Sequence, residues 1–166
     1  PNPRARARRP GRLRSPAFQA KLAYQFEGGG LMDRRDQAYD AGMAVRREMF
    51  GAAGAEQRIA QATDFNRPFE ELVTRYCFGD VWSRPGIDRR TRSLITLAAL
   101  TALSKPNQLR VHVAGALANG ATIDEIREVL LHTSVYAGIP AGVEAFNAAA
   151  EVLATASNAR NNDNKE

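Results

Sequence analysis

From Asp33 onward, the apolar residues of this 166-residue chain recur at helical spacing, and no stretch alternates in and out for long. That pattern restricts the fold to packed helices, because a strand buries every second residue and an amphipathic helix every third or fourth. Phe69, Leu72, Val73, Tyr76 and Cys77 recur at i, i+3, i+4, i+7 and i+8. Tyr39, Met43, Met49 and Phe50, with Ala38 and Val45, mark an earlier amphipathic helix that Gly51 ends, and a short helical turn is expected over 55–62. Asp64 is placed to cap the helix that carries Phe69, Pro68 fits its first turn, and Gly79 with Pro85-Gly86 closes the region.

The next helix is expected over 88–104, and its body Leu94–Leu103 is apolar almost all round. Such a helix is buried on every side. In a small chain that implies either a second subunit over one of its faces or a central core helix. Pro106 opens another helix and Gly120 stops it. Thr122-Ile123-Asp124-Glu125 is a capping box for a helix to about Tyr136, Gly138 breaks it, and Pro140 opens the last helix, to about Thr155. The expected fold is therefore all-α, a compact bundle of about six helices. The helix over 107–119 is rich in small residues (Ala114, Gly115, Ala116, Ala118). A helix-interior glycine costs about 1 kcal/mol relative to alanine, so Gly115 predicts a close contact. The polar positions on that helix are Gln108, Arg110, His112 and Asn119, and residues 108 and 112 share a face.

The net charge of +5 is unevenly placed. Residues 1–31 hold six arginines and Lys21 against Glu27, a net +6 that leaves −1 for 32–166. The basic balance thus belongs to the N-terminal segment and is weak grounds for nucleic-acid binding by the helical part. Residues 1–16, rich in Pro and Arg without an acid, are expected to be disordered, and Gly28-Gly29-Gly30 to form a flexible break. Met32 is a candidate natural start, which makes 1–31 a non-functional extension; a targeting arm, a linker or an upstream translated segment are the other readings. The expected organisation is an extension at 1–31, a helical domain at 32–157 and a frayed tail at 158–166.

Cys77 is the only cysteine, which excludes an internal disulfide, a CxxC redox pair and a multi-cysteine zinc site, and fits a reducing cytoplasm. His112 and His132 show no metal-ligand spacing, so no metal is expected. No apolar run reaches the ~18 residues that span a bilayer, so no membrane partner is expected either.

One stretch breaks a local rule. Trp82–Ser93 places Arg84, Arg89, Arg90 and Arg92 around a Pro85-Gly86 turn and a helix start that Asp88 can cap. Cations in a first helical turn oppose the macrodipole at roughly 0.3–1 kcal/mol each. Such a cluster is either a site or a set of arginines paired with nearby carboxylates, and spacing alone leaves both open.

Several runs together resemble the carboxymuconolactone decarboxylase family, within the alkylhydroperoxidase D-like superfamily. They are Trp82–Ser93, the run His112–Gly120, Thr122–Leu131, Asp40–Glu48 and Tyr136–Ala141. The resemblance covers about Asp33 to Val152. It implies an all-helical, ring-like homo-oligomer, a trimer or hexamer. It also implies cofactor-free loss of CO2 from 4-carboxymuconolactone, giving 3-oxoadipate enol-lactone within protocatechuate breakdown, the β-ketoadipate pathway. The peroxidase branch of the superfamily carries Cys-x-x-Cys-x-x-x-His. With its histidine on His112, the cysteines fall on Lys105 and Gln108, and its relay glutamate near Ser93. Thiol peroxidase chemistry is excluded on those residues. At His132 the decarboxylases commonly carry glutamine.

The substrate that this resemblance implies is a dianionic lactone, and its chemistry sorts the candidates. Its carbonyl accepts the electron pair that CO2 leaves behind, so no cofactor is expected. Guanidinium forks suit the carboxylates, and Arg84 and Arg90 are the leading candidates, with Arg89, Arg92, Trp82 and Tyr136 as further substrate contacts. A guanidinium clamped on the leaving carboxylate would stabilise the ground state, so arginine is expected on the acetate arm or the lactone oxygen. His112 is the expected proton donor, with Glu128 and His132 as candidate relay groups. Two other classes remain: another lactone-acting enzyme of the superfamily, and a helical oligomer that binds nucleic acid through its basic arm.

Overall fold

The protein's structure is a computed structural model that describes the backbone of residues 30–163, and the side chains of 34–155 except 52 and 53. The chain divides into two units, Pro1–Asp36 and Gln37–Glu166. The described part of the first is 30–36, which is helical. The disorder expected of 1–16, the basic arm and Gly28-Gly29 lie outside the described residues.

Among the described residues six α-helices follow one another: α1 (Gly30–Ala60), α2 (Arg67–Leu72), α3 (Arg89–Ala102), α4 (Pro106–Ala118), α5 (Ile123–Ala137) and α6 (Ile139–Asp163). Between α2 and α3 the chain runs on as a π-helix, Val73–Trp82. No strand occurs among the described residues.

Most of the local signals act as chemistry requires. Gly51 breaks α1 with φ 75° and ψ 156°, a region essentially closed to residues with a Cβ. Asp88 caps α3: its carboxylate accepts from the Thr91 N–H at 2.8 Å and from the Thr91 hydroxyl at 2.8 Å. These bonds hold its pKa below the ordinary carboxylate value. The capping box closes at the start of α5, with the Glu125 N–H donating to Thr122 Oγ1 at 3.1 Å and the Thr122 N–H to Glu125 at 2.9 Å.

Other expectations need correction. α1 begins at Gly30, not at Asp33. The cap of α2 is Asn66 rather than Asp64; the Asn66 carbonyl accepts from Phe69 and Glu70, and its side chain from the Thr63 N–H at 2.7 Å. Gly79 lies inside the π-helix and ends nothing. It marks a crossing: a Cβ on Gly79 would overlap the Ala38 carbonyl oxygen, and one on Gly42 the Thr74 carbonyl oxygen. α1 and the π-helix therefore touch backbone to backbone. The last helix opens at Ile139, one residue before Pro140, and its backbone stays helical to Asp163 through alanines that favour it.

The main core lies among α3 to α6. Leu97, Leu109, Val113, Ala116, Ile126, Leu130, Ala145 and Ala148 fill it. The helix that reads as apolar all round buries one side only: Ser93, Leu97 and Thr101 face inward, while Ile95 and Leu103 are exposed on this single chain. A second, smaller cluster joins α1 to the π-helix through Val45, Met49 and Phe78, with Phe50, Val73, Cys77 and Trp82 against it. Gly115 of α4 meets this cluster, and a Cβ there would lie 3.1 Å from Met49 Cε and 3.3 Å from Phe50 Cε1. The close contact expected from its sequence is present.

Alanine at three glycines separates these effects. Gly51→Ala should cost about 1–3 kcal/mol through backbone strain alone, since no atom lies within 4 Å of the added Cβ. Gly79→Ala should cost at least as much through overlap with backbone. Gly54→Ala, with 3.7 Å of room, should be neutral or stabilising by up to about 1 kcal/mol. Thermal melts of the three variants check that order.

Candidate active site

A cleft of about 490 Å³ opens between α1, the π-helix and α4. Ligand sites commonly enclose 300–1,000 Å³, so a small cyclic acid fits. Its lining combines Phe50, Val73, Phe78 and Val111 with Asn107, Gln108 and His112, and with two guanidiniums, Arg46 and Arg58.

α4 positions the histidine. Leu109, Val113 and Ala116 turn into the main core. Successive helical residues are ~100° apart, so Gln108 and His112 emerge on another side. The imidazole stands among aromatic rings, with the Phe50 centroid at 6.3 Å and the Trp82 centroid at 6.4 Å. Phe78 lies behind both, 6.0 Å from each. Desolvation in this surround disfavours the imidazolium and lowers the His112 pKa from its ordinary value. Its Nδ1 is buried and has no hydrogen-bond partner among the described residues.

The cationic side of the cleft rests on one carboxylate. Glu70, 6% exposed, takes the Arg58 Nε at 3.0 and 3.2 Å and the Arg46 Nη2 at 3.3 Å. Arg46, 2% exposed, also donates to Thr74 Oγ1 at 2.7 Å and lies over the Phe78 ring, with Cζ 5.6 Å from the centroid. Thr74 in turn donates to the Glu70 carbonyl at 2.8 Å. Burying Arg46 and Glu70 is tolerable because the two charges face one another and Thr74 takes a further Arg46 hydrogen bond, although the buried Arg46 Nε has no partner among the described residues.

The residues expected from the sequence divide sharply. His112 lines the cleft and Trp82 stacks near it. None of Arg84, Arg89, Arg90 and Arg92 lines it. Arg89 pairs with Glu48, and Arg90 with Glu125, its Nε donating at 3.0 Å. The Arg92 Nη2 donates to the Arg84 carbonyl at 2.9 Å, and Arg84 is exposed. The paired-arginine alternative therefore describes Arg89 and Arg90 in this chain. Glu128, His132 and Tyr136 lie on α5 and do not line the cleft, and the His132 ring packs on Tyr136 at 5.1 Å. Asn119 donates to buried Ser93 at 3.0 Å, and Arg110 pairs with Glu151 at 2.7 Å; both tie helices together.

Arg46 and Glu70 were not among the expected site residues. The signal was present for Arg46: it falls at i+3 from Met43 and four before Phe50, inside the apolar stripe of α1. A cation there requires a buried partner. Glu70, just after Pro68, passes for a first-turn acid that complements the helix dipole.

No three His, Cys, Asp or Glu side chains gather to hold a metal ion among the described residues, and no described helix is long and apolar enough to cross a membrane. The free Cys77 packs in the smaller aromatic cluster.

Residues 67–151 match the profile described as Carboxymuconolactone decarboxylase family. The 4-carboxymuconolactone decarboxylase of Acinetobacter baylyi is 42% identical over 118 residues, covering 71% of this chain and 88% of that protein. The nitrosuccinic acid decarboxylase npaB of Metarhizium robertsii is 43% identical over 108 residues, 65% of this chain and 76% of that protein. A 4-carboxymuconolactone decarboxylase sequence of Pseudomonas putida is 45% identical over 49 residues, 30% of this chain and all of that sequence. With an all-helical architecture and these matches, the chain belongs to the carboxymuconolactone decarboxylase family.

Proposed function

We propose that this protein decarboxylates 4-carboxymuconolactone to 3-oxoadipate enol-lactone without a cofactor. One observation carries the assignment: the cleft pairs His112 with two guanidiniums in a chain 42% identical to a 4-carboxymuconolactone decarboxylase across 88% of that relative.

The chemistry divides between substrate and protein. The bond from the ring carbon to the carboxylate breaks, and its electron pair moves through the ring double bond onto the lactone carbonyl oxygen. CO2 leaves and an oxyanion of furan character remains. The substrate thus supplies its own electron sink. His112, as imidazolium, gives a proton to the ring carbon beside the carbonyl, and the neutral imidazole is then reprotonated from water. The dianion binds on the cationic side of the cleft, a task expected of Arg84 and Arg90; that Arg46 and Arg58 line the cleft supports a guanidinium from that pair instead. The aromatic wall of Phe50 and Phe78 suits the leaving carboxylate, because an apolar setting disfavours the anion and not neutral CO2.

In the cell we place this step in protocatechuate breakdown through the β-ketoadipate pathway, in the cytoplasm, on a ring-like homo-oligomer. Exposed Leu131, Val135, Tyr136, Ile139 and Val143 on α5 and α6 favour such an assembly, since Tyr136 alone is 79% exposed on the single chain. A second reading, decarboxylation of nitrosuccinic acid, is favoured by the near-equal identity of npaB. Incubation with each acid, following CO2 release and the ultraviolet absorbance of the lactone, decides between them.

His112→Ala should lower turnover by on the order of 10²-fold or more; near-normal turnover would remove His112 from the mechanism. The pH profile carries a sign. The donor is the imidazolium, so activity falls as pH rises through its pKa. Desolvation lowers that pKa in the free protein, and a bound dianion favours the imidazolium and raises it. The alkaline limb of kcat/KM should therefore lie at lower pH than the limb of kcat. The opposite order contradicts the donor role.

A further inference from the structure

The cluster Arg46–Glu70–Arg58 carries two cations and one carboxylate, a net charge of +1 at the cleft. Its members are not equivalent. Arg46 is buried, and both of its Nη groups are engaged with Thr74 and Glu70. The Arg58 side chain is 61% exposed and touches Glu70 through Nε only. Its two Nη groups have no partner among the described residues. That leaves a free guanidinium edge at the cleft, held at its base by a buried carboxylate. No carboxylate lines the cleft to compete for this edge. The residues at the histidine end, Phe50, Val111 and His112, offer no permanent charge.

We infer that Arg58 is the receptor for one carboxylate of the substrate and that Glu70 is its positioning residue, so that the cleft selects diacids. This deepens the proposed decarboxylation and rests on it. The carboxylate that is retained docks on the Arg58 fork, bidentately where geometry allows. The carboxylate that departs lies at the aromatic end near His112, away from the Arg58 fork. Glu70 does two things. It aims the Arg58 fork by holding Nε, and it limits the arginine cluster to a single surplus charge. With two surplus charges the departing carboxylate would also be clamped, and ground-state binding would tighten at the expense of turnover. Asn107 and Gln108 complete a polar edge without adding charge.

The test compares the lactone with its half-ester, in which the acetate-arm carboxylate is methylated, in steady-state kinetics. The wild type should prefer the diacid in KM by about 10- to 100-fold, the range of a hydrogen bond to a charged group. Arg58→Gln should raise KM for the diacid by that factor, leave kcat nearly unchanged, and abolish the preference over the half-ester. Arg58→Lys should restore part of it. Glu70→Gln should move the parameters in the other direction, lowering KM and kcat together, a pattern that mere loss of packing does not produce. Circular dichroism melts establish that each variant is folded, and exposed Arg58 makes its variants the decisive ones if Glu70→Gln unfolds. A diacid preference unchanged in folded Arg58→Gln overturns the inference. If the wild type binds the lactone but releases no CO2, the proposed function fails on its own. The ratio of lactone to half-ester affinity by calorimetry, wild type against Arg58→Gln, then decides the role of Arg58 in place of KM. Failure of the wild type to bind either compound overturns both.

Discussion

The Glu70 carboxylate holds together the half of the molecule that carries the cleft. It comes from the first turn of α2 and is met by arginines from both parts of kinked α1. A buried charge without a partner is costly, and breaking a buried pair by removing one member typically costs about 3–5 kcal/mol. The helical segments around the cleft are thus coupled through ions rather than through a large apolar interface. The apolar cluster beside it is small, centred on Val45, Met49 and Phe78. Charge matching and aromatic packing meet at Phe78, whose ring lies under the Arg46 guanidinium and next to Phe50 and Trp82.

The opposite half works by a different principle. Among α3 to α6 the interior is apolar, with Leu97, Leu109, Val113 and Ala116 fully enclosed. α4 belongs to both halves. Its core side gives the histidine a rigid base, and its cleft side carries Gln108 and His112 one turn apart. Small residues let α1 come close to α4 at Gly115, which brings Phe50 against the imidazole. The same packing that orders the helix also dehydrates the ring.

Much of this was legible in the sequence, and for local reasons. Asp88, Thr122 with Glu125, Pro106 and Gly51 act on their own neighbours, so their effects are read at short range. His112 was legible because it is a polar residue on a helix otherwise made small for close packing. The guanidinium site was not. Arg84, Arg89, Arg90 and Arg92 form a dense cluster, yet their partners are Glu48, Glu125 and a carbonyl, two of them far away in sequence. Arg46 stands out as a cation in the apolar stripe of α1, but its partner Glu70 is 24 residues away and passes for an ordinary first-turn acid. Pairings between distant charges follow from how helices dock, which a single helix's periodicity does not encode. The exposed Ile95 and Leu103 follow the same logic: α3 reads as buried all round, and this chain covers only part of it.

The break at Gly51 decides more than the path of one helix. Along a straight helix, residues 46 and 58 would be separated by ~18 Å of axial rise, too far for both guanidiniums to embrace one carboxylate comfortably. The bend folds that distance up. It hinges on a mirror-image backbone angle that a side chain forbids. The electrical character of the cleft is therefore set by a residue that has no side chain and touches nothing in it.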